Sequence, residues 1–195
     1  AFTARKTPWY KRDPLAKREK EDYKRFMSVV GKHIVFYSER SGFYKYFQGA
    51  VEWLLANSDA CVHYVTSDPN DQVFKLHEAN PRLMPYYIGD KRLITLMMKL
   101  DCDVAVMTLD DLENFYIKRS YIRKDIEYVY AFHHMTSTHL VCTKEAFDHY
   151  DTVLCVGPHQ KAELERAGEM RDIPRRNLVE CGYDLLDRQI AAYES

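Results

Sequence analysis

The sequence lacks the motifs that identify the commonest nucleotide-binding and hydrolytic sites. None of its 195 residues belongs to a GxGxxG, GxxxxGK[ST] or GxSxG run. The first absence argues against an NAD-type site, the second excludes a P-loop nucleotidase, and the third leaves a serine hydrolase unsupported. We therefore expect no resident cofactor.

Long apolar runs and paired cysteines are also missing. No apolar stretch approaches the roughly 20 residues that cross a bilayer, and no secretory signal pattern is visible. The five cysteines are an odd number without CxxC spacing, which is typical of reduced thiols in the cytosol. We expect a cytoplasmic protein.

Charge of one sign is in excess only at the amino-terminal end. The 28 Lys and Arg nearly balance the 29 Asp and Glu, so we expect no nucleic acid partner. Residues 1–25 carry nine basic against four acidic side chains, a local charge of +5 on a body of −6. Two interpretations stay open: a solvated charged helix, or an arm that holds the protein peripherally against the anionic inner face of the membrane.

What the sequence does contain is a repeated alternation of strand and helix patterns. With 46% hydrophobic residues the chain can bury a core, and one domain is the default. After a basic arm and helix at 1–31, apolar runs alternate with stretches of helical periodicity. The predicted strands are 33–38, 61–66, 83–88, 103–108, 126–132, 152–156 and 178–181. The predicted helices are 15–30, 43–56, 91–100, 143–150, 158–167 and 184–193.

This alternation predicts an α/β fold in residues 32–195. Strands that read as continuous apolar runs between helices are typical of a doubly wound, mainly parallel, Rossmann-like sheet, here of about seven strands. Ligands of such sheets bind beyond the carboxyl ends of the strands. Five loops would share that edge: 38–42, 108–111, 133–139, 157–159 and 182–184.

The loop after the fifth predicted strand is the richest in reactive groups. It holds three imidazoles and three hydroxyls between His133 and His139. His134 and His133 are candidate general bases, because a neutral imidazole near physiological pH can take a proton from a substrate hydroxyl. The alternative is that one is a hydrogen-bonded core histidine and the other a solvated loop residue.

Several further residues are candidates for holding a phosphate or an acceptor. Hydroxyls and amides in the same loop could receive a phosphate or, equally, cap the following helix. A glycine turn after the first strand and a pair of cations after the fourth could meet phosphate at the same edge, although a solvated face explains the cations equally well. These candidates are Ser41, Gly42, Thr136, Ser137, Thr138, Lys118, Arg119 and His159.

A metal site is a weaker interpretation of the same loop. His133, His134, His139 and Cys142 match no strong zinc spacing, and no carboxylate lies close in sequence. Asp101-Cys102-Asp103 resembles the DxD of some sugar-transfer enzymes, but it precedes a strand and so lies at the opposite edge. We expect no metal.

Six segments together resemble the amino-terminal half of the CDP-glycerol glycerophosphotransferase family. The similarity extends over roughly residues 32–192 and is carried by 103–108, 117–120, 132–134, 146–151, 156–160 and 182–187. Members resemble two-domain GT-B transferases, in which the first lobe meets the acceptor and the second binds most of the CDP donor. The resemblance implies that this chain is the acceptor-side lobe, without the donor-binding lobe, and that it does not turn over alone.

The resemblance also implies a reaction and a base. It would be transfer of glycerol phosphate from CDP-glycerol to a hydroxyl of a lipid-linked or polymer acceptor, in teichoic-acid-type cell-surface polymer synthesis. The family's His-Gly-Thr, whose His is regarded as the base, corresponds to His134-Met135-Thr136, with Met in place of Gly. Either the loop differs here or His133 takes the role. The alternative function is a non-catalytic α/β module that binds a small phosphorylated ligand or a partner protein.

Overall fold

A seven-stranded parallel sheet forms the centre of the protein, whose computed structural model describes residues 13–39 and 42–195. Its strand order is β3-β2-β1-β4-β5-β6-β7, and every neighbouring pair is parallel. The strands are β1 Lys32–Ser38, β2 Val62–Thr66, β3 Leu83–Tyr87, β4 Cys102–Met107, β5 Glu127–Ala131, β6 Thr152–Cys155 and β7 Asn177–Glu180. The expected fold class is therefore confirmed, and each predicted strand end lies within one residue of the observed one.

Helices connect the strands and cover both faces of the sheet. They are α1 Pro14–Ser28, α2 Tyr44–Asn57, α3 Val73–Ala79, α4 Asp90–Met98, α5 Thr138–Val141, α6 Pro158–Arg171 and α7 Asp184–Glu194. One apolar cluster joins the sheet to α2 and α3, and the other joins it to α1, α4 and α6. Burial on both faces explains why the strands read as continuous apolar runs.

Helix α1 packs against the outer strand β3. Phe26 is fully buried, the Asp22 carboxylate accepts a hydrogen bond from the Tyr87 amide at 2.9 Å, and Arg25 donates to the Pro85 carbonyl. Arg18 donates to the Pro69 carbonyl at 2.7 Å. Helix α1 is therefore packed as part of the α/β domain. The first twelve residues of the expected arm lie outside the described residues.

The segment between β5 and β6 differs from its predicted helix. Residues 143–150 form successive turns with hydrogen bonds of i to i+3 type, such as Ala146 N to Thr143 O at 3.3 Å. The helix was predicted from the spacing of Ala146, Phe147 and Tyr150. These residues are indeed buried, but successive turns bury them as well as a helix would. Helices α3 and α5 were not predicted. Across residues 13–39 and 42–195, no helix combines the length and apolar character needed to cross a bilayer.

Candidate functional site

The candidate site lies where the order of the strands reverses, between β1 and β4. Connections run in opposite directions from these two strands, which leaves a crevice beyond their carboxyl ends. Gly42 precedes α2 there with φ +79°, a conformation that side chains disfavour. Ser41, the other candidate of this turn, is outside the described residues. Loops after β4 and β5 complete the crevice.

His133 is held in an aromatic setting at the end of β5. Its ring stacks on Phe43, with centroids 5.6 Å apart, and lies 5.7 Å from the ring of Tyr46. Its Nδ1 is buried and has no hydrogen-bond partner in the described part of the chain. Burial lowers the pKa of this imidazole, the nearby His134 lowers it further, and Asp110 opposes the shift.

His134 is oriented by its own loop. Its Nδ1 lies 2.8 Å from the Thr136 hydroxyl, its Nε2 lies 4.0 Å from the Cys142 sulfur, and its ring meets Phe132 edge to face. Burial is the main cause that lowers the pKa of His134, again opposed by Asp110. Both imidazoles are therefore neutral near pH 7, the state that a general base requires.

Asp110 interacts electrostatically with both imidazoles. It follows β4 and is partly buried, and burial together with the charge of Asp111 raises its pKa. The two histidines lower that pKa in turn. The sequence placed Asp110 at this edge but gave no reason to select it, because the interaction joins loops of two different strands.

The hydroxyls of Ser137 and Thr138 bind a carboxylate. Glu163 of α6 accepts hydrogen bonds from the Thr138 amide at 2.6 Å, from the Thr138 hydroxyl at 2.8 Å and from the Ser137 hydroxyl. These bonds hold the pKa of Glu163 below its usual range although burial opposes them. A phosphate at this position would have to displace Glu163.

Gln160 fastens the histidine loop to α6. The side chain is fully buried, and its Nε2 donates to the carbonyls of His134 and Thr136, both at 3.1 Å, while its Oε1 accepts from the Val156 amide at 3.0 Å. His159 is exposed, and its Nε2 donates to the Met135 carbonyl at 3.0 Å. The structure thus places Thr136 beside His134, and His159 against the same loop.

Lys118 and Arg119 do not join the histidines. Arg119 donates to the Ile126 carbonyl at 3.1 Å and pairs with Asp151 at 2.9 Å, and these residues precede β5 and β6. The guanidinium therefore lies at the amino edge, because the chain that follows β4 returns to that edge before the parallel strand β5 begins. This corrects the expectation that Arg119 meets phosphate at the carboxyl edge. Lys118 donates to the Glu113 carbonyl within the same loop.

Sequence reasoning missed the residues that support the site from other elements. Tyr183, before α7, donates its hydroxyl to the His133 carbonyl at 3.0 Å. Gln160 and Glu163 stand in a polar helix, where such residues normally face solvent. The sequence contained one indication of their position, because Pro158-His159-Gln160 begins a helix directly after a strand. In the described residues, no cluster of three or more His, Cys, Asp or Glu has a metal-binding arrangement.

Comparison of the chain with protein-family models, with curated proteins and with solved structures found no match. The family resemblance of the six sequence segments therefore stays a prediction. What is established is the α/β class of protein, with a seven-stranded parallel sheet whose order reverses between β1 and β4.

Proposed function

We propose that these residues form the acceptor-side lobe of a glycerophosphotransferase-like enzyme. The observation that carries the proposal is the neutral imidazole of His134, which lies at the carboxyl end of β5 beside the crevice between β1 and β4. Acceptor chemistry needs a base at that position, and a pKa lowered by burial keeps this one unprotonated. The family resemblance supports the same assignment.

In the proposed reaction His134 takes the proton of an acceptor hydroxyl. The oxygen attacks the β-phosphorus of CDP-glycerol, a new P–O bond forms, and the bond to the bridging oxygen breaks with release of CMP. The resemblance assigns most of the donor contacts to a second lobe. Gly42, Thr136 and His159 would contact the acceptor or the transferred phosphate on this side.

Membrane association belongs to the same proposal. A lipid-linked acceptor would be met at the inner face of the membrane, where the basic first 25 residues are attracted to anionic lipid at about 1 kcal/mol per basic residue. Arg18 and Arg25 already bind main-chain carbonyls, so the attraction would come mainly from the other cations of that segment.

The test is turnover by the complete natural polypeptide with CDP-glycerol and a hydroxyl acceptor, with and without membranes. We expect CMP release, and a loss of at least about 100-fold in His134→Ala, the usual scale for removing a general base. His149→Ala is the matched control, because that imidazole is exposed and lies at the amino edge. An unchanged rate in His134→Ala would contradict the assignment of the base, and a larger loss in His133→Ala would move it there.

A second candidate is a non-catalytic α/β module for a small phosphorylated ligand or a partner protein. The observation that favours it is the occupation of Ser137 and Thr138 by Glu163, together with the placement of Arg119 at the opposite edge. Few cations then remain to stabilise a transferring phosphoryl group. Saturable binding of a phosphorylated ligand without CMP release from any donor would favour this module.

A further inference from the structure

An apolar groove opens directly behind the candidate base. It has a volume of about 830 Å³ and runs between the turns at 143–149 and helix α6. Its apolar walls are formed by Cys142, Phe147, Ala162, Leu164, Ala167 and Met170. A volume of this size is typical of sites for small ligands, which lie between about 300 and 1,000 Å³.

The groove and the candidate site share a wall. The Cys142 sulfur, which lines the groove, lies 4.0 Å from Nε2 of His134. Phe147 also lines the groove, and its ring lies 5.2 Å from that of Phe132, which in turn contacts His134. The Cys142 side chain thus links the groove to the imidazole, although His134 itself does not line the groove.

Exposed apolar side chains line the groove and lie next to its lining residues in sequence. Met170 is 73% exposed, and Leu140 and Val141, next to the lining residues in sequence, are 73% and 56% exposed. Exposed apolar side chains gathered at one place mark a binding surface more often than chance.

The charged side chains that line the groove are mostly cations. Its lining holds Lys144, Arg166 and Arg171 against one carboxylate, Glu163, which is already bonded to Ser137 and Thr138. Lys144 is exposed and forms no ion pair with any residue in 13–39 or 42–195. Arg171 is neutralised by Asp148, whereas Arg166 forms an exposed pair with Glu169.

We propose that this groove binds a single-chain anionic amphiphile, with its hydrocarbon chain along Phe147 and Met170 and its head group at Lys144 and Arg166. Apolar walls with cations beside them complement that chemistry, and the volume of about 830 Å³ lies in the range of small-ligand sites. Under the proposed function, on which this role rests, the amphiphile is the acceptor class.

The experiment measures binding of dodecyl phosphate below its micellar concentration by calorimetry, together with the NMR shift of the Met170 methyl group. We expect saturable binding that weakens at least about tenfold in Met170→Glu and in Ala167→Trp, which put a charge or bulk into the groove. Lys144→Ala should weaken dodecyl phosphate but not dodecyl maltoside. Ile190→Glu on α7, also an exposed apolar position, is the matched control.

Equal binding of the neutral and anionic detergents would overturn the proposal, as would unchanged affinity in both groove variants. Binding of anionic vesicles without binding of monomeric dodecyl phosphate would overturn it in favour of a membrane surface. These readouts need no donor, so they separate the two proposals. Normal dodecyl phosphate binding without CMP release would refute only the transfer reaction.

Discussion

The two edges of the sheet differ in how completely their polar side chains are paired. At the amino edge, Arg123 pairs with Asp101, Asp103 and Asp125, and Arg119 pairs with Asp151. At the carboxyl edge the His133 Nδ1 and the Thr108 hydroxyl are buried without partners among the described residues. Buried polar groups normally find hydrogen-bond partners, since an unpaired one costs free energy. We therefore expect substitutions at the amino edge to affect mainly stability, and substitutions at the carboxyl edge to affect mainly the proposed site.

The largest expected effect is on an ion pair of the stabilising edge. In Asp148→Ala the Arg171 guanidinium loses a two-bond partner at 2.6 and 2.8 Å, and the nearly buried Arg176 loses its carboxylate at 3.4 Å. A buried cation without a partner is strongly unfavourable, so we expect the free energy of unfolding to fall by about 3 kcal/mol. Urea denaturation measures it.

The matched control for this change is Asp59→Ala. Asp59 is exposed and has no ion pair within the described part of the chain, so its loss should not move the urea midpoint. If both variants unfold at the wild-type urea concentration, the amino edge does not stabilise the fold through these pairs.

We expect an intermediate effect from a substitution of Gln160, which fastens the histidine loop to α6 at the carboxyl edge. Gln160→Leu removes three hydrogen bonds from a fully buried position and leaves the carbonyls of His134 and Thr136 and the Val156 amide unpaired. We expect a loss of about 2 kcal/mol in the free energy of unfolding, since each unpaired group costs about 1 kcal/mol or more and part of the loop can reach water.

The same variant should release the histidine loop while the sheet stays folded. Amide exchange of residues 133–137 is then expected to accelerate while exchange of β5 does not. Gln48→Leu is the control, because this half-exposed glutamine bonds, among the described residues, only to Glu52 within α2. Uniform acceleration over both segments would mean that Gln160 supports the whole domain rather than the site.

The smallest expected effect is on the titration of the imidazoles. Because burial lowers the pKa of His133 and His134, their NMR midpoints should lie below pH 6.5, and the chain in urea should titrate near that value. Between these values the unfolded state binds more protons, so the free energy of unfolding falls as the pH falls from 7 toward the folded pKa.

Asp110 makes this titration a sharper comparison. Its charge raises the pKa of both imidazoles, so Asp110→Asn should lower both midpoints further, whereas Asp59→Asn should leave them in place. Proposed transfer would then persist to lower pH, since the base stays neutral there. An upward shift in Asp110→Asn would show that another group sets the protonation of this edge.

Most of the fold could be predicted because the strands other than the edge strand β7 are largely buried. Continuous apolar runs mark such strands regardless of their neighbours, whereas the order of the strands was not predicted. The seven-residue α3 was missed because so short a helix shows little periodicity. The turns at 143–150 were mistaken for a helix because three buried residues within five positions fit either structure.

The candidate site was only half predictable for a different reason. His133, His134 and Thr136 all follow the same strand within four positions, so the sequence alone predicted that they lie close together. Their supports, Gln160 and Glu163, lie 24 to 26 positions from the loop residues to which they bond and join the loop only through tertiary contacts. Arg119 was placed at the wrong edge because the path of the loop that carries it depends on contacts with Ile126 and Asp151.

The packing of α1 on β3 has a consequence for self-association. An outermost strand offers free main-chain groups to a neighbouring chain, which is how many sheets begin to aggregate. Here the Leu83 carbonyl accepts from His77, the Pro85 carbonyl accepts from Arg25, and the Tyr87 amide donates to Asp22. Pro85 has no N–H to offer. Strand β3 is thus closed to intermolecular pairing, and loss of α1 would expose a template for fibrils.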